Sequence, residues 1–129
     1  MVLRNLYIAA TPNKGRGVFA SEIIPADTII EVAPVIIMTA EERLLLDKTL
    51  LHDYIFEWTP PGEDKCCMAL GYVSIYNHSY DSNCEYFMNY EEASMFIKTV
   101  REIIAGEELT INYNGDHNNK EPVWFDVNI

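Results

Sequence analysis

Tyr76-Asn77-His78-Ser79-Tyr80-Asp81-Ser82-Asn83-Cys84 is the stretch on which the reading of this chain turns. Ser, Asp and Asn side chains bond to nearby backbone groups, so this composition favours tight turns and leaves little room for regular structure. An apolar run, Tyr72-Val73-Ser74-Ile75-Tyr76, leads in, and a strand-like run, Cys84-Glu85-Tyr86-Phe87-Met88, leads out. A polar turn held between two segments patterned for burial is a common way of presenting functional groups. An isolated Asn-His pair more often marks a well hydrogen-bonded loop than a site, so the flanking sequence has to decide.

Upstream, residues 3–9 are apolar enough for a first strand, and Thr11-Pro12-Asn13-Lys14-Gly15 has the composition of a turn. In Lys14-Gly15-Arg16-Gly17-Val18-Phe19-Ala20, two glycines flank one residue. Glycine permits positive φ or a close approach of backbone to a ligand. The segment lacks the third glycine and the strand–helix context of a dinucleotide fingerprint. Glu22-Ile23-Ile24-Pro25-Ala26-Asp27-Thr28-Ile29-Ile30 has an echo in Glu102-Ile103-Ile104-Ala105-Gly106-Glu107-Glu108-Leu109-Thr110. Each reads as a strand, a turn and a second strand. Thr39-Ala40-Glu41-Glu42 fits a capping box, and the helix formers that follow predict a helix over residues 39–51. Pro60-Pro61-Gly62 interrupts regular structure. Short strands are predicted over residues 66–70, 84–88 and 95–100. Many short strands, one capped helix and several Gly or Pro corners give a mainly β domain with one or two short helices.

The length of 129 residues suits one domain spanning 1–129, and 49% apolar with 12% aromatic residues argues against disorder. The three cysteines, Cys66, Cys67 and Cys84, are odd in number and lack CxxC spacing, so neither a disulfide framework nor a zinc site follows. No signal pattern or bilayer-length apolar run is present, which predicts an intracellular, cytoplasmic protein without membrane contact. The net charge of −11 disfavours direct nucleic-acid binding and favours cationic partners.

Three segments together resemble the SET domain of protein lysine methyltransferases: Lys14-Gly15-Arg16-Gly17-Val18-Phe19-Ala20; Tyr76-Asn77-His78-Ser79 with Asn83-Cys84; and Gly106-Glu107-Glu108-Leu109-Thr110-Ile111-Asn112-Tyr113. The core motifs lie within residues 3–113, and 114–129 form a short aromatic tail. The resemblance implies a β-clip SET fold with a C-terminal pseudoknot and methyl transfer from S-adenosylmethionine to a lysine side-chain amine, without a metal. It implies cofactor contacts at Lys14, Gly15, Arg16, Gly17, Asn77 and His78, and a catalytic Tyr113 held in place by Glu107, Glu108 and Leu109. Such chemistry needs an apolar channel poor in ionisable groups, for which Tyr54, Tyr72 and Tyr76 are further candidates, a structural role in the core being the alternative for each. Where the family usually has Asp, this chain has Asn112; Tyr80 and Ser82 stand where Cys and Pro are frequent. The cysteine-rich modules that can flank the domain are absent, so Trp124 and Phe125 are expected to cover the adenine instead. The expected substrate is a basic, Lys/Arg-rich protein or peptide, the expected assembly includes a homodimer, and a eukaryotic source implies a nuclear location. The alternative functions are an inactive SET-fold module that binds cofactor or a basic peptide, and a structural β-clip assembly module.

Overall fold

A computed structural model describes residues 1–123 of the chain. Among them nine strands form two sheets. The first is four-stranded, in the order β1 (Leu6–Ala10), β2 (Arg16–Ala20), β9 (Glu108–Ile111), β6 (Asn77–His78). The second has the order β4 (Phe56–Trp58), β5 (Lys65–Ala69), β3 (Ile29–Met38), β8 (Ser94–Thr99), β7 (Cys84–Asn89). The mainly β reading therefore holds, with α1 (Ala40–Leu46) and two short 3-10 turns, Leu50–Asp53 and Val73–Ile75, as the helical parts.

Between the sheets lies the core, which includes Val18, Ile24, Ile30, Val73, Tyr76, Ile97, Ile103, Leu109 and Ile111. β3 is long because it serves two partners. Residues up to Pro34 pair with β8, and those from Val35 onward pair with β5. Proline has no N–H for a ladder, so the change of partner falls where a missing donor does least harm.

The two similar corners pair with each other, Ile24 bridging Ile103. Their alignment in space is one residue off from the alignment of the letters. Ile24 and Ile103 are buried, whereas Ile23 and Ile104 are exposed. Three residues on, Asp27 and Gly106 both adopt positive φ, at 58° and 86°. The arms expected to be strands at residues 22–24 and 102–104 are thus irregular segments joined by a single bridge.

The predicted helix is shorter than expected. Its start is as read: Thr39 caps the Glu42 N–H at 3.1 Å, and the Glu42 carboxylate accepts the Thr39 N–H at 3.0 Å. It ends after Leu46, because the Thr49 hydroxyl takes the Leu46 carbonyl at 2.7 Å and then caps the following 3-10 turn through the Leu51 N–H. Local side-chain bonds of this kind compete with helix continuation.

The 76–84 stretch also departs from expectation. Asn77 and His78 form a two-residue strand parallel to β9, with Asn77 opposite Thr110 and His78 opposite Ile111. This pairing sets the central stretch beside the segment that carries Tyr113.

Candidate functional site

Two neighbouring cavities meet beside Tyr113. The first, of about 320 Å³, is lined by Lys14, Gly15 and Arg16 from the turn into β2, by Asn77 of β6, and by Ser74 and Ile75. The second, of about 540 Å³, is lined by Arg43, Asp53, Phe56, Glu57, Tyr86 and Met88 among others. Asp53, Tyr54, Ser74 and Tyr113 line both. Both volumes lie in the range of small-molecule sites.

Tyr113 is fixed at three atoms. Its N–H donates to His78 Nδ1 at 3.0 Å, its carbonyl accepts the Tyr86 hydroxyl at 3.1 Å, and its own hydroxyl donates to the Tyr76 carbonyl at 2.8 Å. Burial foremost, then Tyr54, Asp53 and Glu108, push the Tyr113 phenol up to about 12. It therefore stays protonated near neutral pH and serves as a hydrogen-bonding group rather than a base.

The β2–β6–β9 junction is held by amides and carboxylates. Asn77 Nδ2 donates to the Arg16 carbonyl at 3.0 Å and to Glu108 Oε2 at 2.8 Å. A side chain at residue 17 would run into the Glu108 carboxylate and, at 3.0 Å, Asn77 Nδ2, so any larger residue than Gly17 would displace the Asn77–Glu108 contact. Gly15 is required for a different reason: its φ is 69°, and the space above it is open. Asn83, almost fully buried, gives its amide N–H groups to Glu107 and the Glu108 carbonyl and accepts the Thr110 N–H at 2.8 Å. β9 is thereby locked to the central stretch.

Residues 15–114 match the SET domain family. The chain belongs to the SET-domain family. Over 122 residues it is 39% identical to a Schizosaccharomyces pombe histone-lysine N-methyltransferase specific for H3 lysine-37, covering 94% of this chain and 77% of that protein. It is 31% identical over 119 residues to a Cryptococcus neoformans histone-lysine N-methyltransferase specific for H3 lysine-36, covering 87% of this chain but only 14% of that larger protein. A solved Plasmodium falciparum structure, described as a candidate histone methyltransferase, superposes with a TM-score of 0.67 at 28% identity and covers 87% of this chain and 95% of that one. The SET fold is therefore shown, and family membership together with these relatives supports protein-lysine methyltransferase activity.

Within this SET domain the residues singled out from sequence separate into groups. Lys14, Gly15, Arg16, Asn77, Tyr54 and Tyr113 share the walls of the first cavity. Gly17 and His78 lie just behind, both buried; Lys14 Nζ reaches the His78 carbonyl at 3.2 Å. Tyr76 is fully buried, its hydroxyl bonds the Glu31 carboxylate at 3.1 Å, and it lines neither cavity. Tyr72 packs against the core and gives its N–H to the same carboxylate. Trp124 and Phe125 lie outside the described residues. Tyr86, Asp53 and Ser74 were not legible as site residues, since nothing in their local sequence distinguishes them from ordinary strand and turn positions. His117, adjacent to Asp116, pairs with Glu85 at 3.0 Å.

His78 yields a pH prediction. Burial first, then the Lys14 ammonium, lower its pKa, and its Nδ1 must be unprotonated to accept the Tyr113 N–H. A histidine whose folded pKa is depressed leaves the unfolded chain to bind the proton first, so stability falls as pH drops below the unfolded value of about 6.5. Urea melts of wild type and His78→Asn from pH 7.5 to 5 should show the wild-type advantage shrinking towards the acid end. A constant difference would mean that His78 accepts no such bond.

Proposed function

We propose that this SET domain transfers a methyl group from S-adenosylmethionine to the side-chain amine of a lysine in a basic, Lys/Arg-rich protein segment. The observation that carries the reading is the position of Tyr113, fixed at three atoms on the wall shared by two cavities. The first cavity suits the cofactor. Lys14 and Arg16 offer cations to a carboxylate, and the Gly15 backbone leaves open space beside them. When bound, the cofactor supplies a methyl group on a positively charged sulfur.

The remaining work belongs to the chain. A lysine amine, with a pKa near 10.4, must lose its proton before it can attack, at a free-energy cost of about 4–5 kcal/mol at pH 7. Desolvation among Tyr54, Phe56, Tyr86, Met88 and Tyr113 lowers that cost. Tyr113, donating its proton to the Tyr76 carbonyl, keeps oxygen lone pairs with which to orient an amine N–H. Alignment of the amine is the larger contribution, since near-attack geometry supplies roughly 7–11 kcal/mol. The second cavity, with Asp53 and Glu57 in its wall and Arg43 3.8 Å from Glu57, receives the peptide.

The relatives' names specify histone H3 lysines, and a histone tail is the first substrate to try. We place the protein inside the cell, where such substrates are. The test is transfer of label from methyl-labelled S-adenosylmethionine to a Lys/Arg-rich peptide, measured across salt. With a net charge of −11 attracting the peptide, kcat/KM should fall as salt rises, because the Debye length shortens from about 30 Å at 0.01 M to about 8 Å at 0.15 M. A salt-independent kcat/KM would remove electrostatic recruitment from the account. Tight cofactor binding with no transfer to any basic peptide would favour an inactive binding module.

A further inference from the structure

Glu31 is completely buried in an otherwise apolar strand, and no step of the proposed reaction uses it. A bulge in the β3–β8 pairing brings it inward. Ile29 pairs with Lys98 and Glu31 with Ile97, leaving Ile30 as the extra residue. Regular alternation would send Ile30 and Glu31 to opposite faces, yet both are fully buried. Bulges re-aim side chains in this way.

The carboxylate spans a short piece of chain. Oε2 accepts the Tyr72 N–H at 2.7 Å and Oε1 accepts the Tyr76 hydroxyl at 3.1 Å. Between those residues lies the 3-10 turn Val73–Ile75, whose first flanking residue, Tyr72, makes no side-chain cap of its own. Glu31, from β3, holds the Tyr72 N–H at the start of the turn and the Tyr76 hydroxyl beyond its end. Gly71 is built around it: a Cβ there would stand 2.5 Å from Glu31 Oε2. Burial pushes the Glu31 carboxyl up, with the Tyr72 and Tyr76 hydrogen bonds acting in the opposite direction. A buried acid is a poor source of stability compared with a packed apolar residue of similar size. Its value must lie in what it orients.

What it orients adjoins the site. Ser74 and Ile75 of the turn line the first cavity, and Asn77 follows directly. The carbonyl of Tyr76, whose hydroxyl Glu31 holds, accepts the Tyr113 hydroxyl at 2.8 Å. We propose that Glu31 is a positioning residue for methyl transfer: by clamping both ends of the 73–75 turn it sets the Tyr76 carbonyl, and through it the direction of the Tyr113 hydroxyl. This rests on the reading that Tyr113 orients the lysine amine.

Three single variants and one double variant test it, each assayed well below its own melting temperature. Glu31→Met keeps the length and removes both acceptors. Tyr76→Phe deletes only the hydroxyl that reaches Glu31 and guards against a Glu31→Met protein that does not fold. Glu31→Gln can still accept the Tyr72 N–H and donate to the Tyr76 oxygen, so it should rescue. Small displacements of reacting groups are expensive in rate, so Glu31→Met and Tyr76→Phe should each lose on the order of tenfold in kcat, with peptide KM and cofactor Kd within about twofold. Glu31→Gln should stay within about threefold of wild type, and the Glu31→Met/Tyr76→Phe double variant should lose little more than the worse single one, because both cut the same link. Wild-type kcat in Tyr76→Phe, or fully additive losses in the double variant, would overturn the proposal while leaving the lysine methyltransferase reading intact. Absence of methyl transfer by the wild type would instead remove that reading, and this inference with it.

Discussion

Tyr113→Phe should lower methyl transfer by on the order of 100-fold or more, because a slightly misplaced amine loses most of the benefit of alignment. The substitution keeps the ring and deletes only the oxygen proposed to orient the amine. The backbone anchors, Tyr113 N–H to His78 and Tyr86 to the Tyr113 carbonyl, do not depend on that oxygen. The structural loss is therefore one hydrogen bond, to the Tyr76 carbonyl, worth about 0.5–1.5 kcal/mol. Cofactor affinity should persist, since Lys14, Gly15, Arg16 and Asn77 are untouched. Steady-state assays at saturating cofactor, with thermal melts as a folding control, decide the matter. Near-normal turnover would remove Tyr113 from the chemistry. A stability loss far above one hydrogen bond would make it chiefly a structural residue.

Restoring the family's usual acid is expected to damage this protein. Asn112 is fully buried, and its Nδ2 donates to the Asn119 carbonyl at 2.7 Å and to the Tyr80 carbonyl at 3.4 Å. Its oxygen accepts the Asn114 N–H at 3.0 Å. Asn112→Asp would keep the last bond and turn a carboxylate oxygen towards two carbonyl oxygens. Losing those donors and burying an unpaired charge should cost about 3 kcal/mol or more at pH 7. That corresponds to a fall in Tm of roughly 10 °C for a domain of this size. The sign of the pH dependence follows from the same contacts. Burial and facing carbonyls raise the folded pKa of the new acid above its unfolded value of about 3.9, so the electrostatic penalty is full above the raised value and vanishes below about 3.9. Melts of the variant and wild type should converge as pH falls. Equal stability at pH 7 would show that the Asn119 and Tyr80 contacts carry no weight. The charge lost at position 112 is thus replaced by donors that fasten the 114–121 loop, where Asn114 Nδ2 also holds the Glu121 carbonyl at 2.7 Å.

What the letters showed and what they hid divides along sequence separation. The capping box at Thr39 and Glu42 is complete within four residues and was readable. The end of α1 was not, because it depends on whether the Thr49 hydroxyl prefers the Leu46 carbonyl to solvent. The paired corners were visible as an echo, but their one-residue slip emerges only when Ile24 meets Ile103. The largest omission was β6. Asn77 and His78 look like loop residues until Thr110 and Ile111 arrive alongside from more than thirty positions away. Tyr113, singled out through its motif, lines both cavities, whereas Tyr86 bonds the Tyr113 carbonyl only because β7 runs beside it in space. Tyr76, expected in the channel, turned its hydroxyl to Glu31. A charged residue inside an apolar strand was the available clue, and the bulge that buries it has no local signature.

The most direct measurement is tandem mass spectrometry of a histone H3 tail peptide and other Lys/Arg-rich peptides after incubation with the protein and S-adenosylmethionine. The account predicts methyl groups on lysine Nε atoms with wild type and a drop of on the order of 100-fold with Tyr113→Phe under the same conditions. Methylation at other residue types, or no methylation of any basic peptide despite saturating cofactor, would contradict it.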